Sequence, residues 1–150
     1  MYKAIARRKA TEVFEAIGRR DIDAVLKDVA PNVHHTFPGD NALGGERHSR
    51  DAMRLWFERV FRLFPDLQLK VRRVAVKGPP WDMFVAIEWT DHGEAADGVA
   101  YENEGAHWIR LRRGKAVYIH AYTDPEKITA ICNRLAESGV EEASAPPITS

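Results

Sequence analysis

The stretch from Gly98 to Asp124 limits most severely what this chain can fold into. It reads GVAYENEGAHWIRLRRG and then KAVYIHAYTD, two strand-like runs that meet at Arg113-Gly114. Glycine at the second loop position supplies the positive φ that a two-residue hairpin turn needs. Arg112 then pairs with Lys115, which sets His107 across from His120, Gly105 from Tyr122, and Asn103 from Asp124. Side chains alternate faces along a strand, so these six share one face. Toward the turn the same face carries Ile109 with Tyr118, then Leu111 with Ala116. A face that grades from apolar to polar reads as the wall of a ligand pocket. The other face shows Trp108, Val117, Ile119 and Ala121, and an apolar outer face calls for a cover. A homodimer through this outer sheet face supplies one.

The rest of the chain gives the hairpin something to wrap around. Ala6, Ala10, Val13, Phe14 and Ile17 are spaced as the buried stripe of a helix over residues 3–17. Asp21 caps a short helix from Ile22 to Asp28, and Asn32 to Phe37 reads as a short strand. Residues 38–48 read as loop on their glycines. Ser49 caps a third helix, whose Met53, Trp56, Phe57, Val60, Phe61 and Phe64 form a broad apolar stripe ended by Pro65. Leu67 to Lys77 is a strand whose apolar phase shifts at Arg72-Arg73, the pattern of a β-bulge. Trp81 to Asp91 follows as a strand with Met83, Val85, Ile87 and Trp89 on one face, and residues 92–98 as a loop. Asp124-Pro125 opens a last helix with Ile128, Ile131, Cys132 and Leu135 as its stripe. Helices first and strands mostly afterwards make this an α+β chain, a curved antiparallel sheet wrapped on N-terminal helices. Residues 1–137 form one domain. Residues 138–150 have no burial pattern and read as a disordered tail.

Composition removes several function classes. Lys plus Arg and Asp plus Glu each number 22, so the chain has no basic excess to attract nucleic acid or a membrane surface. The single cysteine rules out an intrachain disulfide and fits a reducing compartment. No stretch approaches a membrane span and the first residues lack a signal-peptide pattern, so a cytoplasmic location is expected.

With the elements in order, the chain resembles the SnoaL-like branch of the nuclear-transport-factor-like superfamily, which also includes ketosteroid isomerases, scytalone dehydratase and limonene epoxide hydrolase. The resemblance runs over residues 3–135. It rests on the hairpin, on Trp89-Thr90, on FPDLQLKV, and on the motifs Tyr101-x-Asn103, Gly114-Lys115 and Tyr122-x-Asp124. Arg113 and Ala116 depart from the family pattern, where Asp and Ile are usual. The resemblance implies a cone-shaped α+β barrel with a polar-lined mouth, often dimeric, in which an inner-strand His or Asp does acid/base work. Neither the acid-and-tyrosine set of the isomerases nor the Asp-Arg-Asp set of the epoxide hydrolase can be placed from the sequence.

The candidate catalytic groups are therefore His107, His120 and Asp124. Two facing imidazoles in a shielded cleft resist double protonation, which leaves a neutral base at pH 7. Each also has a plain structural reading: a cross-sheet hydrogen bond for the histidines, a helix N-cap for Asp124. Tyr122, Asn103, Trp89, His35 and Trp56 are the candidate substrate contacts. His35 is preferred to His34 because its face also carries Val33 and Phe37. A metal site from His35, His107 and His120 lacks supporting spacing, so no metal and no cofactor are expected. The expected partner is a small apolar molecule carrying a carbonyl. It is either turned over by a lyase, isomerase or cyclase reaction or simply held; in a third reading the outer face is an assembly surface.

Overall fold

The computed structural model describes residues 1–150. In chain order it contains α1 (Tyr2–Gly18), α2 (Ile22–Leu26), β1 (Val29–Phe37), β2 (Gly45–Arg47), α3 (Arg50–Leu63), β3 (Gln68–Lys77), β4 (Asp82–Glu94), β5 (Ala100–Arg112), β6 (Lys115–Thr123) and α4 (Pro125–Glu137). The caps are those the residue types predict. Asp21 accepts the Ala24 N–H at 3.2 Å, Ser49 that of Ala52 at 3.1 Å, and Asp124 that of Glu126 at 3.0 Å. No helix is long and apolar enough to cross a membrane.

Six strands form one curved sheet in the order β2-β1-β6-β5-β4-β3. The α+β class expected from the sequence is the class observed. One detail differs: β1 runs parallel to β6, so the sheet is mixed rather than wholly antiparallel. The segment expected to be loop also holds β2, which pairs His35 with Arg47. α1 packs against β3 at one end of the sheet and α3 against β1 near the other, so the helices cover the concave face. Phe14, Ile17, Trp56, Phe57, Val60 and Leu63 meet Val33, Val85, Ile87 and Ile119 there in one core. In β3 the register shifts between Val71 and Arg73, where the apolar phase change predicts it.

The hairpin starts in the expected register and then leaves it. Arg112 faces Lys115 and Leu111 faces Ala116. Arg113 and Gly114, at φ 49° and 78°, are both left-handed, the geometry of a type I′ turn. Arg110 then pairs with Tyr118 and Val117 is passed over. This bulge moves every later position on β6 by one residue, and a one-residue slip exchanges the two faces. His107 faces Ala121, Trp108 faces His120, Ala106 faces Tyr122, and Gly105 faces Thr123. Ile119 and Ala121, expected outside, are therefore inside at 6% and 0% exposure, while Tyr122 is outside at 56%. The slip buries two apolar side chains in place of an imidazole and a phenol, which favours it.

Residues 138–150, expected to be disordered, are packed on the domain. Glu141–Ser144 is a 3-10 turn with Ala143 buried, and Glu142 accepts from Arg62 at 2.6 and 2.7 Å and from Arg59 at 3.3 Å. Farther on, Arg47 donates to the Ile148 carbonyl at 2.8 Å, and Ser150 Oγ accepts the His48 N–H at 2.6 Å. Apart from Ala143 and Val140, which join the core, the contacts named here are polar, and two apolar residues three apart make no sustained hydrophobic period in the sequence.

Candidate functional site

Between the helices and the concave sheet face lies a cavity of about 330 Å³. Its lining residues that reach solvent, Tyr2, Ile5, Lys9, Pro80 and Gly114, cluster where the start of α1 meets the β3–β4 and β5–β6 turns, which marks the entrance. Tyr2 donates its hydroxyl to the Gly78 carbonyl across this rim at 3.0 Å. From there the inward faces run Met83, Val85, Ile87, Trp89, Asp91 on β4 and Leu111, Ile109, His107, Gly105, Asn103, Tyr101 on β5. The grade from apolar to polar is present, but its apolar end is the entrance and not the floor.

His107 owes its state to a chain of neighbours. Gly105 lies opposite Trp89, and a Cβ on Gly105 would meet the indole at 2.8 Å, so the missing side chain lets the ring lie across the strand. The indole N–H donates to His107 Nδ1 at 2.7 Å. Indole nitrogen can only donate, so Nδ1 holds a lone pair and the imidazole proton is on Nε2. Burial, with a smaller electrostatic contribution from His120, pulls the His107 pKa down to about 4. The ring is thus neutral at pH 7, and Nε2–H has no acceptor within the protein. His35, 1% exposed, is built the same way: Arg47 donates to its Nδ1 at 3.0 Å, and burial first, then Arg47, holds its pKa well below the usual value. His107 contributes to that shift, so the two rings are electrostatically coupled.

A second polar group occupies the far end. Asp91 pairs with Asn103 across the β4–β5 ladder, and burial pushes its carboxyl up to about 6 against the pull of nearby backbone N–H groups. Asp91 Oδ1 and the Tyr101 hydroxyl are both buried without a hydrogen-bond partner. Burial and the neighbouring Asp91 raise the Tyr101 phenol, so it remains a neutral donor. Asn103, 8% exposed, uses its side-chain oxygen on the Glu104 N–H at 2.9 Å.

Of the residues singled out in the sequence, His107, Asn103, Trp89, His35 and Trp56 line this cavity. Trp56 packs edge-on to His35, with ring centroids 4.7 Å apart, and donates to the Leu43 carbonyl at 2.8 Å. His120, Tyr122 and Asp124 are corrections. The bulge turns His120 and Tyr122 to the outer face, where their rings stack at 4.2 Å and His120 Nδ1 lies 2.9 Å from the Tyr118 hydroxyl. Asp124 caps α4 and does not line the cavity. The facing imidazole pair does not form, nor does any His35–His107–His120 cluster. Three site residues are not among the candidate catalytic or substrate-contacting residues read from the sequence. Asp91 continues the alternation of Ile87 and Trp89, and Tyr101 that of His107 and Asn103, so parity could have placed both. Arg47 falls in a segment with no period at all.

Residues 10–119 match the family model described as SnoaL-like domain. No curated protein sequence matches the chain. Solved structures with the same fold include an NTF2-like protein of unknown function from Burkholderia pseudomallei, at 24% identity and TM-score 0.74, covering 83% of this chain and 95% of that one. AclR, a putative hydroxylase from Streptomyces galilaeus, is 21% identical with TM-score 0.67, covering 91% of this chain and 86% of its own. TerC, co-crystallised with polyporic acid, is 19% identical with TM-score 0.66, covering 87% of this chain and 96% of its own. At these identities the likeness is one of fold.

Proposed function

The chain belongs to the SnoaL-like domain family, and from that premise we propose that its cavity binds a small apolar molecule bearing a carbonyl group and moves a proton on it. The observation that carries this reading is the Trp89–His107 hydrogen bond, which fixes His107 as an N–H donor on the largely apolar β4–β5 wall. That donor suits a carbonyl oxygen as it gains negative charge. His107 is then the group that holds the oxygen, not the base. The base is Asp91, ionised above about pH 6 and desolvated enough to take a proton from carbon. Asp91 stands four residues beyond the His107 partner Ile87 on β4, roughly 13 Å of strand at about 3.3 Å per residue. One molecule reaches both groups only if it is elongated. The proton therefore leaves a carbon conjugated with the carbonyl and several bonds from it, and the same carboxylic acid returns it elsewhere on the conjugated system. Asn103 and Tyr101 bracket that end. Among the similar folds, TerC was crystallised with polyporic acid, which is in keeping with a ligand cavity of this kind.

The test is deuterium uptake by a bicyclic enone, octalone, followed by proton NMR in D2O. Exchange at the γ carbon is expected with an inflection near pH 6. Asp91→Asn should abolish it while octalone still quenches tryptophan fluorescence, and His107→Gln, which keeps a donor, should slow exchange without moving the inflection. Binding with no exchange at any pH would leave the second reading, a module that holds a hydrophobic metabolite.

The outer face belongs to the same proposal. Phe84, Trp108, Tyr118 and Tyr122 lie on it, with Trp108 41% exposed. Pairing of two such faces gives a homodimer. Sedimentation at tens of micromolar should find a dimer that Trp108→Arg converts to monomer; a wild-type monomer would remove this part of the reading.

A further inference from the structure

Arg47 is the largest fully buried side chain in the molecule, and its charge has no counter-ion. It donates through Nε to the Ile148 carbonyl at 2.8 Å, through Nη2 to the Gly44 carbonyl at 3.0 Å and through Nη1 to His35 Nδ1 at 3.0 Å. All three acceptors are neutral. The neighbouring carboxylate, Glu46, turns outward to His34 at 3.0 Å. The charge that acts on Arg47 is another cation, Arg59, itself taken by Glu142. Burial and Arg59 lower the guanidinium to about 10, so it is still charged at neutral pH. Trp56 offers its ring face 5.4 Å away, the one electron-rich surface in contact.

An unpaired buried charge is costly, and folds keep one where something else completes it. Here the completing position is on the cavity side of His35. With Nδ1 held by the guanidinium, the proton is on Nε2, which has no partner in the protein. A cation bonded to the back of an imidazole makes its front N–H a stronger donor. Register builds the arrangement: β1 and β2 pair His35 with Arg47 directly, both on the inner face of the sheet.

We propose that the cavity takes its ligand as an anion: an ionised carboxyl, enol or phenol oxygen accepts the His35 Nε2–H, and Arg47 behind the imidazole supplies the counter-charge. Arg47 is a positioning residue that acts through His35 and does not touch the ligand. The inference rests on the reading of the cavity as a ligand site, and not on turnover.

Three probes with one apolar body separate the possibilities: 2-naphthoate, 2-naphthol and the neutral ketone 2-acetylnaphthalene, each titrated against tryptophan fluorescence at pH 7.5. Naphthoate is expected to bind at least tenfold tighter than the ketone, and bound 2-naphthol to ionise at least tenfold more readily than in water, read from its absorption. Either result supports the proposal; the first alone assigns a carboxylate, the second alone an enol or phenol. Arg47→Met should remove the tenfold preference and the absorption change, the preference being read against the variant's own affinity for the ketone, which also reports folding. The absorption change needs no variant, so the proposal stands or falls even if Arg47→Met does not fold. The proposal is overturned if naphthoate binds no tighter than the ketone and naphthol ionises no earlier, or if the preference survives in Arg47→Met. If none of the three probes binds, the ligand cavity itself is refuted along with it.

Discussion

His107 has two ring nitrogens, and the Trp89 N–H has claimed one of them. A buried histidine facing a cavity suggests a base, yet a base needs a free lone pair toward the substrate, and the only lone pair here is already used. The two histidines on this wall, His35 and His107, are both donors because a donor stands behind each. Long-range nitrogen–proton NMR is expected to show His107 as the Nε2–H tautomer throughout pH 5–9. In Trp89→Phe the Nδ1 lone pair loses its partner. The ring should then exchange between tautomers and its pKa should rise from about 4, with a stability loss of about 1–3 kcal/mol, the cost typical of a buried polar group left unpaired. An Nδ1–H tautomer in the wild type would remove the oxygen-holding role.

At the scale of elements, β5 and β6 decide which residues share the cavity. The type I′ turn is legible from Arg113-Gly114, and so is the pairing next to it. The bulge at Val117 is not, because a β-branched residue in mid-strand gives no local sign of being passed over. What decides it is burial of Ile119 and Ala121 in the core beside β1, a tertiary gain invisible in the hairpin alone. The same bulge accounts for both the misplaced His120 and the misplaced Tyr122. β4 is legible because its alternation from Met83 to Trp89 is unbroken, and carrying that alternation one step further reaches Asp91. The room that Gly105 leaves is filled by Trp89. A Cβ there would lie 2.4 Å from the Tyr122 carbonyl oxygen and 2.8 Å from the indole. Gly105→Ala is expected to cost about 1–3 kcal/mol in urea unfolding, as overpacking does. It should also push the indole off His107, reproducing the tautomer exchange of Trp89→Phe. Loss of stability with the tautomer unchanged would show that the glycine serves the backbone and not the site.

At the scale of the whole molecule, the two ends of the cavity titrate in opposite senses, and stability carries both signatures. His107 has a folded pKa of about 4, below the unfolded value of about 6.5. Its contribution is complete above pH 6.5 and is lost as pH falls toward 4. His35 adds to this in the same direction. Asp91 has a folded pKa of about 6, above its unfolded value of 3.8. Its contribution is complete below pH 3.8 and is lost as pH rises through 6. A tenfold difference in proton affinity between the folded and unfolded chain corresponds to about 1.4 kcal/mol, so each group is worth about 3 kcal/mol, and the two nearly cancel between pH 4 and 6. The wild-type curve therefore shows neither of these two by itself, only the slope left by His35, and single variants expose them. Asp91→Asn should be more stable relative to wild type at pH 7.5 than at pH 3.5 by about 3 kcal/mol, with the change spread over pH 4 to 6. His107→Gln should gain on wild type in the opposite direction, as pH falls from 6.5 to 4. Urea unfolding at half-unit pH steps measures both differences, and packing losses common to all pH values drop out of the slopes. An Asp91→Asn difference that does not change with pH would mean that the carboxylate bears no desolvation cost, and the cavity would lose its base.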